Sequence, residues 1–362
     1  MRFGSLLVPV FFFGCKDKSS SSNYSTGDIQ APEKEGTESI PTWSTDPSIS
    51  NAFSRMIAEQ NEAYTKTSYR EMEAVCPPPD FTIFGKTVTL QGKLAAPSSS
   101  GVNIQRLSDS TRLMKTSTHD MYYMRMAWTE KAVLSSIEKL GISPRVVPKS
   151  SLSLSTGCEL RSFVMDFVGG EALDAYFANR GNHVDFKIIA EIVRLTLKAL
   201  EKLHNSGIVH ADIHPGNVVY NEGMSAVKLI DYGRAKSFVD STGSHVASTR
   251  VPLDPNLNPV ILSPAELRGY STSRSDDVFR LAEMMIYLIE GPVGIADKQW
   301  VRENGFRVQA FVFPPLHTLI YRKENRVFTP SIPKALQEFY REAVKLKFGA
   351  TPNYDALAAI LG

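Results

Sequence analysis

Cysteine is scarce in this 362-residue chain, which holds only Cys15, Cys76 and Cys158. Three cysteines exclude a disulfide-dense scaffold and a Cys-rich zinc domain. Charge of one sign is lacking as well. Forty Lys and Arg against 38 Asp and Glu leave a net +2, which gives no electrostatic footprint for nucleic acid and no acidic tail. No apolar run reaches membrane length: the N-terminal one, Phe3–Gly14, has 12 residues where a spanning helix needs about 20. No internal repeat is visible. What remains is ordinary globular composition, 43% apolar and 22% charged, which excludes a wholly disordered, collagen-like or coiled-coil chain. At roughly 150 residues per domain the length predicts about two folding units.

The apolar run follows Arg2 and precedes the polar KDKSSSSN, the pattern of a secretory signal peptide over residues 1–15, although Phe12 and Phe13 stand where a cleavage site wants small residues. A working signal places the protein in the secretory pathway; otherwise it is cytoplasmic. Cys76 and Cys158 would pair in an oxidising compartment, but the plainer expectation is two unpaired buried thiols. Asn23-Tyr24-Ser25 is a glycan acceptor triplet if the chain is secreted. Residues 16–46 have a disordered composition. Apolar residues at helical spacing predict an amphipathic helix over 48–75, ended by Pro77-Pro78-Pro79. An extension over 16–80 therefore precedes a domain over 81–362.

That domain begins β-rich, with strands expected at 87–90, 102–107 and 111–114. A helix is expected at 120–140, closed by Gly141, and an apolar strand at 161–168. Beyond it the pattern is mainly helical, over 185–204, 273–290 and 334–346. The class is α+β.

The most informative stretch is HADIHPGNVVY, His210–Tyr220, in which Asp212 and Asn217 stand five apart. Asp231-Tyr232-Gly233 follows the apolar VKLI. A strand-end Asp beside a Gly hinge suits a cation held by oxygen, with Asn217 as a second oxygen ligand. Asp212 is left to accept a proton from a hydroxyl.

These two elements resemble the catalytic loop (HRDxKxxN) and the magnesium motif (DFG) of the eukaryotic protein kinase superfamily. The resemblance implies a bilobal fold, with an N-lobe over 81–165 and a C-lobe over 169–362. It also implies ATP and Mg2+ as cofactors, a protein substrate and a monomer. Lys115, ending RLMK, is then the residue that holds the α- and β-phosphates, and Glu130 its helix-borne partner. FVMDFVGG resembles the hinge, with Met165 as gatekeeper and the backbone of Asp166 to Val168 holding adenine. Asp212 and His214 fall in the catalytic loop; Asn217 and Asp231 are the metal ligands. Pro264-Ala265-Glu266 stands at the Ala-Pro-Glu position, and Asp277 at the start of the central helix. The closing Pro352-Asn353-Tyr354 is similar to the casein kinase I and vaccinia-related kinase group.

The chain also departs from the family. Between Gly92 and Gly101 it reads KLAAPSSS in place of a glycine-rich loop. Ala211 replaces the Arg of His-Arg-Asp, so activity is expected to be independent of activation-segment phosphorylation. His214 replaces the loop Lys, as in the aminoglycoside and choline phosphotransferases. Thr351 stands where many kinases place the basic partner of the Ala-Pro-Glu glutamate. Residues 295–333 look remodelled, with an aromatic patch of Phe311, Phe313 and Tyr321. Three readings stay open: an active Ser/Thr-type kinase, a pseudokinase scaffold, and a small-molecule kinase.

Overall fold

Alternation of apolar residues builds the first lobe. Strands β1 (Asp80–Ile83), β2 (Lys86–Lys93), β3 (Val102–Leu107), β4 (Arg112–Ser117) and β5 (Ser162–Asp166) form one antiparallel sheet in that order. The computed structural model describes residues 47–67, 76, 78, 80–93, 101–181, 183–254, 259–290 and 315–362. The signal peptide, the glycan triplet, residues 68–75, residues 94–100 and the Phe311 and Phe313 positions lie outside them. Side chains two apart on a strand share a face. On β4, Met114 enters a small cluster with Phe81, Ile83 and Val88, while Leu113 enters the main core with Phe163 and Met165. Lys115 is therefore carried on the same face as Leu113.

Helix α1 spans Pro47–Lys66, and the remainder of the expected helix, 68–75, lies outside the described residues. Phe53 joins the main core, and the Tyr64 ring lies 5.7 Å from Trp128 on α2 (Met121–Ile137). Asp120 caps α2 by accepting from the Tyr122 N–H at 2.8 Å. A 3-10 turn over Glu138–Leu140 closes it, and Gly141 follows at φ 67°. The expected strand at 161–168 is shorter, because α3 (Thr156–Arg161), capped by Ser155, occupies its start. Cys76 and Cys158 form a disulfide, which corrects the expectation of free thiols. It joins the segment after α1 to α3, across a separation of 82 residues.

The second lobe follows through β6 (Glu171–Ala172), α4 (Leu173–Asn179) and the core helix α5 (Phe186–Asn205), capped by Asp185. Strand β7 (Ile208–Val209) leads into the HADIHPGN loop. Strands β8 (Val218–Asn221) and β9 (Ala226–Leu229) pair with β6 in a three-stranded sheet, and β10 (Lys236–Ser237) pairs with β7. Then come α6 (Pro264–Leu267), α7 (Arg274–Glu290), α8 (Leu316–Glu324), α9 (Lys334–Lys345) and α10 (Tyr354–Ala359). Helix α7 is buried along most of its length. Among the described residues, no helix is long and apolar enough to cross a membrane.

Candidate active site

Strand β4, helix α2 and the turn after β9 bring three charges together. Lys115 Nζ lies 2.5 Å from Glu130 Oε2 and 2.9 Å from Asp231 Oδ1. Lys115 and Glu130 are almost fully buried, whereas Asp231 is 41% exposed and faces the cleft. Burial opposes the Lys115 charge, but Asp231 and Glu130 hold the ammonium above its ordinary range. Burial also pushes Asp231 up; Lys115 more than offsets this and keeps the carboxylate ionised. Glu130 is pushed up to about 7 by burial, against the pull of Lys115.

The HADIHPGN loop is held from below. Asp277, at the start of α7, accepts the backbone N–H of His210 at 2.7 Å and of Ala211 at 2.9 Å. His204 Nε2 lies 3.0 Å from the same carboxylate, and its Nδ1 lies 2.5 Å from the Tyr354 hydroxyl. Burial keeps the His204 imidazole below its ordinary pKa. It is therefore neutral, donating from Nε2 and accepting at Nδ1. The closing Pro-Asn-Tyr turn thus braces the loop through one histidine.

Asn217 Nδ2 donates to the Asp212 carbonyl at 2.9 Å. That bond commits the amide nitrogen and leaves the Asn217 carbonyl oxygen available. With the half-exposed Asp231 carboxylate it forms a pair of hard oxygen donors, which fits a magnesium ion that takes its other ligands from phosphates and water. Among the described residues no cluster of three or more His, Cys, Asp or Glu could hold a metal by itself. His214 Nε2 lies 3.9 Å from Asp212 Oδ2.

The remaining expected positions fall on the cleft's upper side. Met165 is buried at the end of β5, and Asp166 accepts from Arg145 Nε at 2.9 Å. Val168 follows between the lobes. Gly92 is exposed on β2, with open space around it. Gly101 has φ +63°, and a Cβ there would meet the Tyr123 ring at 2.4 Å. Glycine is needed at 101 for its close approach to α2 as well as for its φ.

Known proteins resemble this chain in sequence and in fold. The family described as "Protein kinase domain" matches residues 113–346. The chain belongs to the protein kinase family. The match begins inside β4, so the strands that flank the glycine-poor loop precede it. The kinase fold is similar to that of vaccinia-related kinase 3, with a TM-score of 0.55, 17% identity, and coverage of 84% of this chain and 94% of the other. Curated relatives include MAP kinase kinase MKK1/SSP32 of Saccharomyces cerevisiae, 28% identical over 35% of this chain and 24% of that protein. Mitogen-activated protein kinase kinase kinase 17 of Arabidopsis thaliana is 26% identical over 64% of this chain and 56% of its own. A probable serine/threonine-protein kinase of Clostridium perfringens is 26% identical over 56% and 27% respectively. These matches span from about a quarter to about half of the relatives' length.

Two arginines of the kinase site have no counterpart in the sequence expectations. Arg280, on α7, grips Glu266 through Nε at 3.0 Å and Nη2 at 2.7 Å. It takes the place left open at Thr351. Arg234, directly after Asp231-Tyr232-Gly233, donates to Asp254 at 2.6 Å and to the Tyr122 hydroxyl at 2.8 Å. A signal for Arg280 existed: it interrupts the apolar run of a core helix, where an arginine needs a buried partner.

Proposed function

We propose that this protein is an active Ser/Thr-type protein kinase that transfers the γ-phosphoryl group of Mg-ATP to a protein hydroxyl. The observation that carries the reading is the closed Lys115–Glu130 pair with Asp231 beside it, in one cleft with Asp212 and Asn217. Mg-ATP bound between the lobes supplies the phosphoryl group and neutralises its charge. Lys115 holds the phosphates, with Glu130 fixing its position. The backbone from Asp166 to Val168 receives adenine beside Met165. Asn217 and Asp231 offer the metal oxygens. Asp212 orients the attacking hydroxyl and accepts its proton as the new P–O bond forms and the bond to ADP breaks.

Transfer of labelled phosphate to the protein itself or to casein, with magnesium and ATP, tests this. Asp212→Asn should lower the rate by about 10²-fold or more. Equal behaviour of wild type and Asp212→Asn would sink the reading. The glycine-poor segment after Gly92 and the His214 replacement favour a second reading, a pseudokinase scaffold. Under that reading Mg-ATP gives no thermal stabilisation.

We also infer a route through the secretory pathway. The Cys76–Cys158 disulfide supports it, because such bonds persist in oxidising compartments. Mass spectrometry of the mature N-terminus tests the inference. A chain that starts near residue 15 is expected, and one that retains Met1 would contradict it.

A further inference from the structure

Helix α7 buries Val278, Phe279, Leu281, Ala282, Met284 and Met285, yet Arg280 sits among them with 0% exposure. A buried guanidinium is costly unless its charge and its N–H groups are matched. Glu266 matches two of its nitrogens. The third, Nη1, is buried and makes no hydrogen bond among the described residues. It lies 3.7 Å from Asp212 Oδ1.

The catalytic loop itself carries no fixed positive charge. Ala211 and His214 occupy the positions where the family supplies Arg and Lys. The other cation near Asp212 is Arg234, whose Nε lies 3.8 Å from Oδ2 and whose Nη1 is bonded to Asp254. Arg280 therefore stands alone on the Oδ1 side of the carboxylate among the described ion pairs.

We infer that Arg280 is the positioning residue of Asp212: it supplies from the central helix the fixed cation that the catalytic loop lacks. It draws Oδ1 inward and sets the orientation of the carboxylate, whose Oδ2 lies 3.5 Å from Asn217 Nδ2, 3.8 Å from Arg234 Nε and 3.9 Å from His214 Nε2. Its grip on Glu266 ties that orientation to the end of the activation segment. The inference rests on the kinase reading above.

The test is steady-state phosphoryl transfer from Mg-ATP to casein, together with thermal melting. Arg280→Gln should lower kcat by about 10²-fold, the scale seen when one preorganised donor is removed, with KM for ATP within about threefold. His214→Lys places a cation in the loop itself, so adding it to Arg280→Gln should recover at least about tenfold of the lost kcat. A purely structural arginine would not be rescued in this way. Near-normal kcat in Arg280→Gln, or no recovery in the double variant, would overturn the inference. If Arg280→Gln does not melt cooperatively, Arg280→Lys, which keeps a cation beside Asp212, decides. A kcat within about tenfold of wild type supports the inference; a loss of about 10²-fold or more with normal melting overturns it. Absence of transfer by wild type defeats the kinase reading itself. Transfer that Arg280 variants retain defeats only this assignment.

Discussion

Ala211 and Asp231 both adopt left-handed backbone conformations, with φ of 61° and 60°. Non-glycine residues in this region cost of the order of 1–3 kcal/mol each. The surroundings repay that cost at Ala211, because Asp277 accepts the N–H of both His210 and Ala211, and hydrogen bonds to a charged group are worth about 1.5–3 kcal/mol each. Two such bonds exceed one strained residue, so the loop holds its shape. A different buried charge contributes a pH dependence. Lys323 is 3% exposed, 3.5 Å from Glu283, with its Nζ 5.1 Å from the centroid of the Phe279 ring. Burial lowers its pKa from 10.5 to about 8, against the pull of Glu283. Between about 8 and 10.5 the unfolded chain binds more protons at this site than the folded one, so its contribution to stability rises with pH across that window. Urea unfolding at pH 7.5 and 10 should show a change in stability that is more favourable in wild type than in Lys323→Met, and equal changes would contradict it.

Among the elements, α1 packs on α2, which carries Glu130. Tyr64 packs on Trp128, Gln60 donates to the Trp128 carbonyl at 3.4 Å, and Phe53 enters the main core. The disulfide closes a loop of about 80 residues in the unfolded chain, worth about 2–4 kcal/mol. Cys76→Ser should lower the melting temperature by several degrees, and a reductant should shift wild type but not the variant. Elements differ in how legible they are. Helices α5, α7 and α9 follow from long apolar periodicity and are found within a residue or two of their expected limits. Helix α3 is six residues long and β1 four, too short for any period to emerge. Only the Ser155 cap and pairing with β2 define them.

Across the whole molecule, one cluster joins the lobes. Arg234 binds Asp254 of the second lobe and the Tyr122 hydroxyl of α2, and that hydroxyl lies 2.9 Å from Asp254. In a family where an arginine before the catalytic Asp pairs with an added phosphate, this chain has Ala211, and a genetically encoded carboxylate, Asp254, pairs instead with Arg234. Phosphatase treatment should therefore leave kcat within about twofold, because a fixed carboxylate needs no added charge. Phosphorylation at Ser241, Thr242, Ser248 or Thr249 that raised the rate tenfold would contradict this.

Local chemistry made much of this protein legible from its sequence. Residue types at fixed spacing announce Asp212, Asn217 and Asp231, because a loop and a strand end hold them wherever the rest of the chain lies. Helix periodicity covers Glu130 and the expected strand ends just before Lys115, but it is the resemblance to the protein kinase superfamily that singles the two out. Contacts between distant segments were decided only in three dimensions. The Cys76–Cys158 bond, the His204–Tyr354 brace and the reach of Arg280 to Glu266 and Asp212 join residues separated by 14 to 150 positions. No spacing rule links such partners: the packing of α7 beneath the HADIHPGN loop brings Arg280 to Asp212 and His204 to Asp277, and the folding of the first lobe brings the two cysteines together.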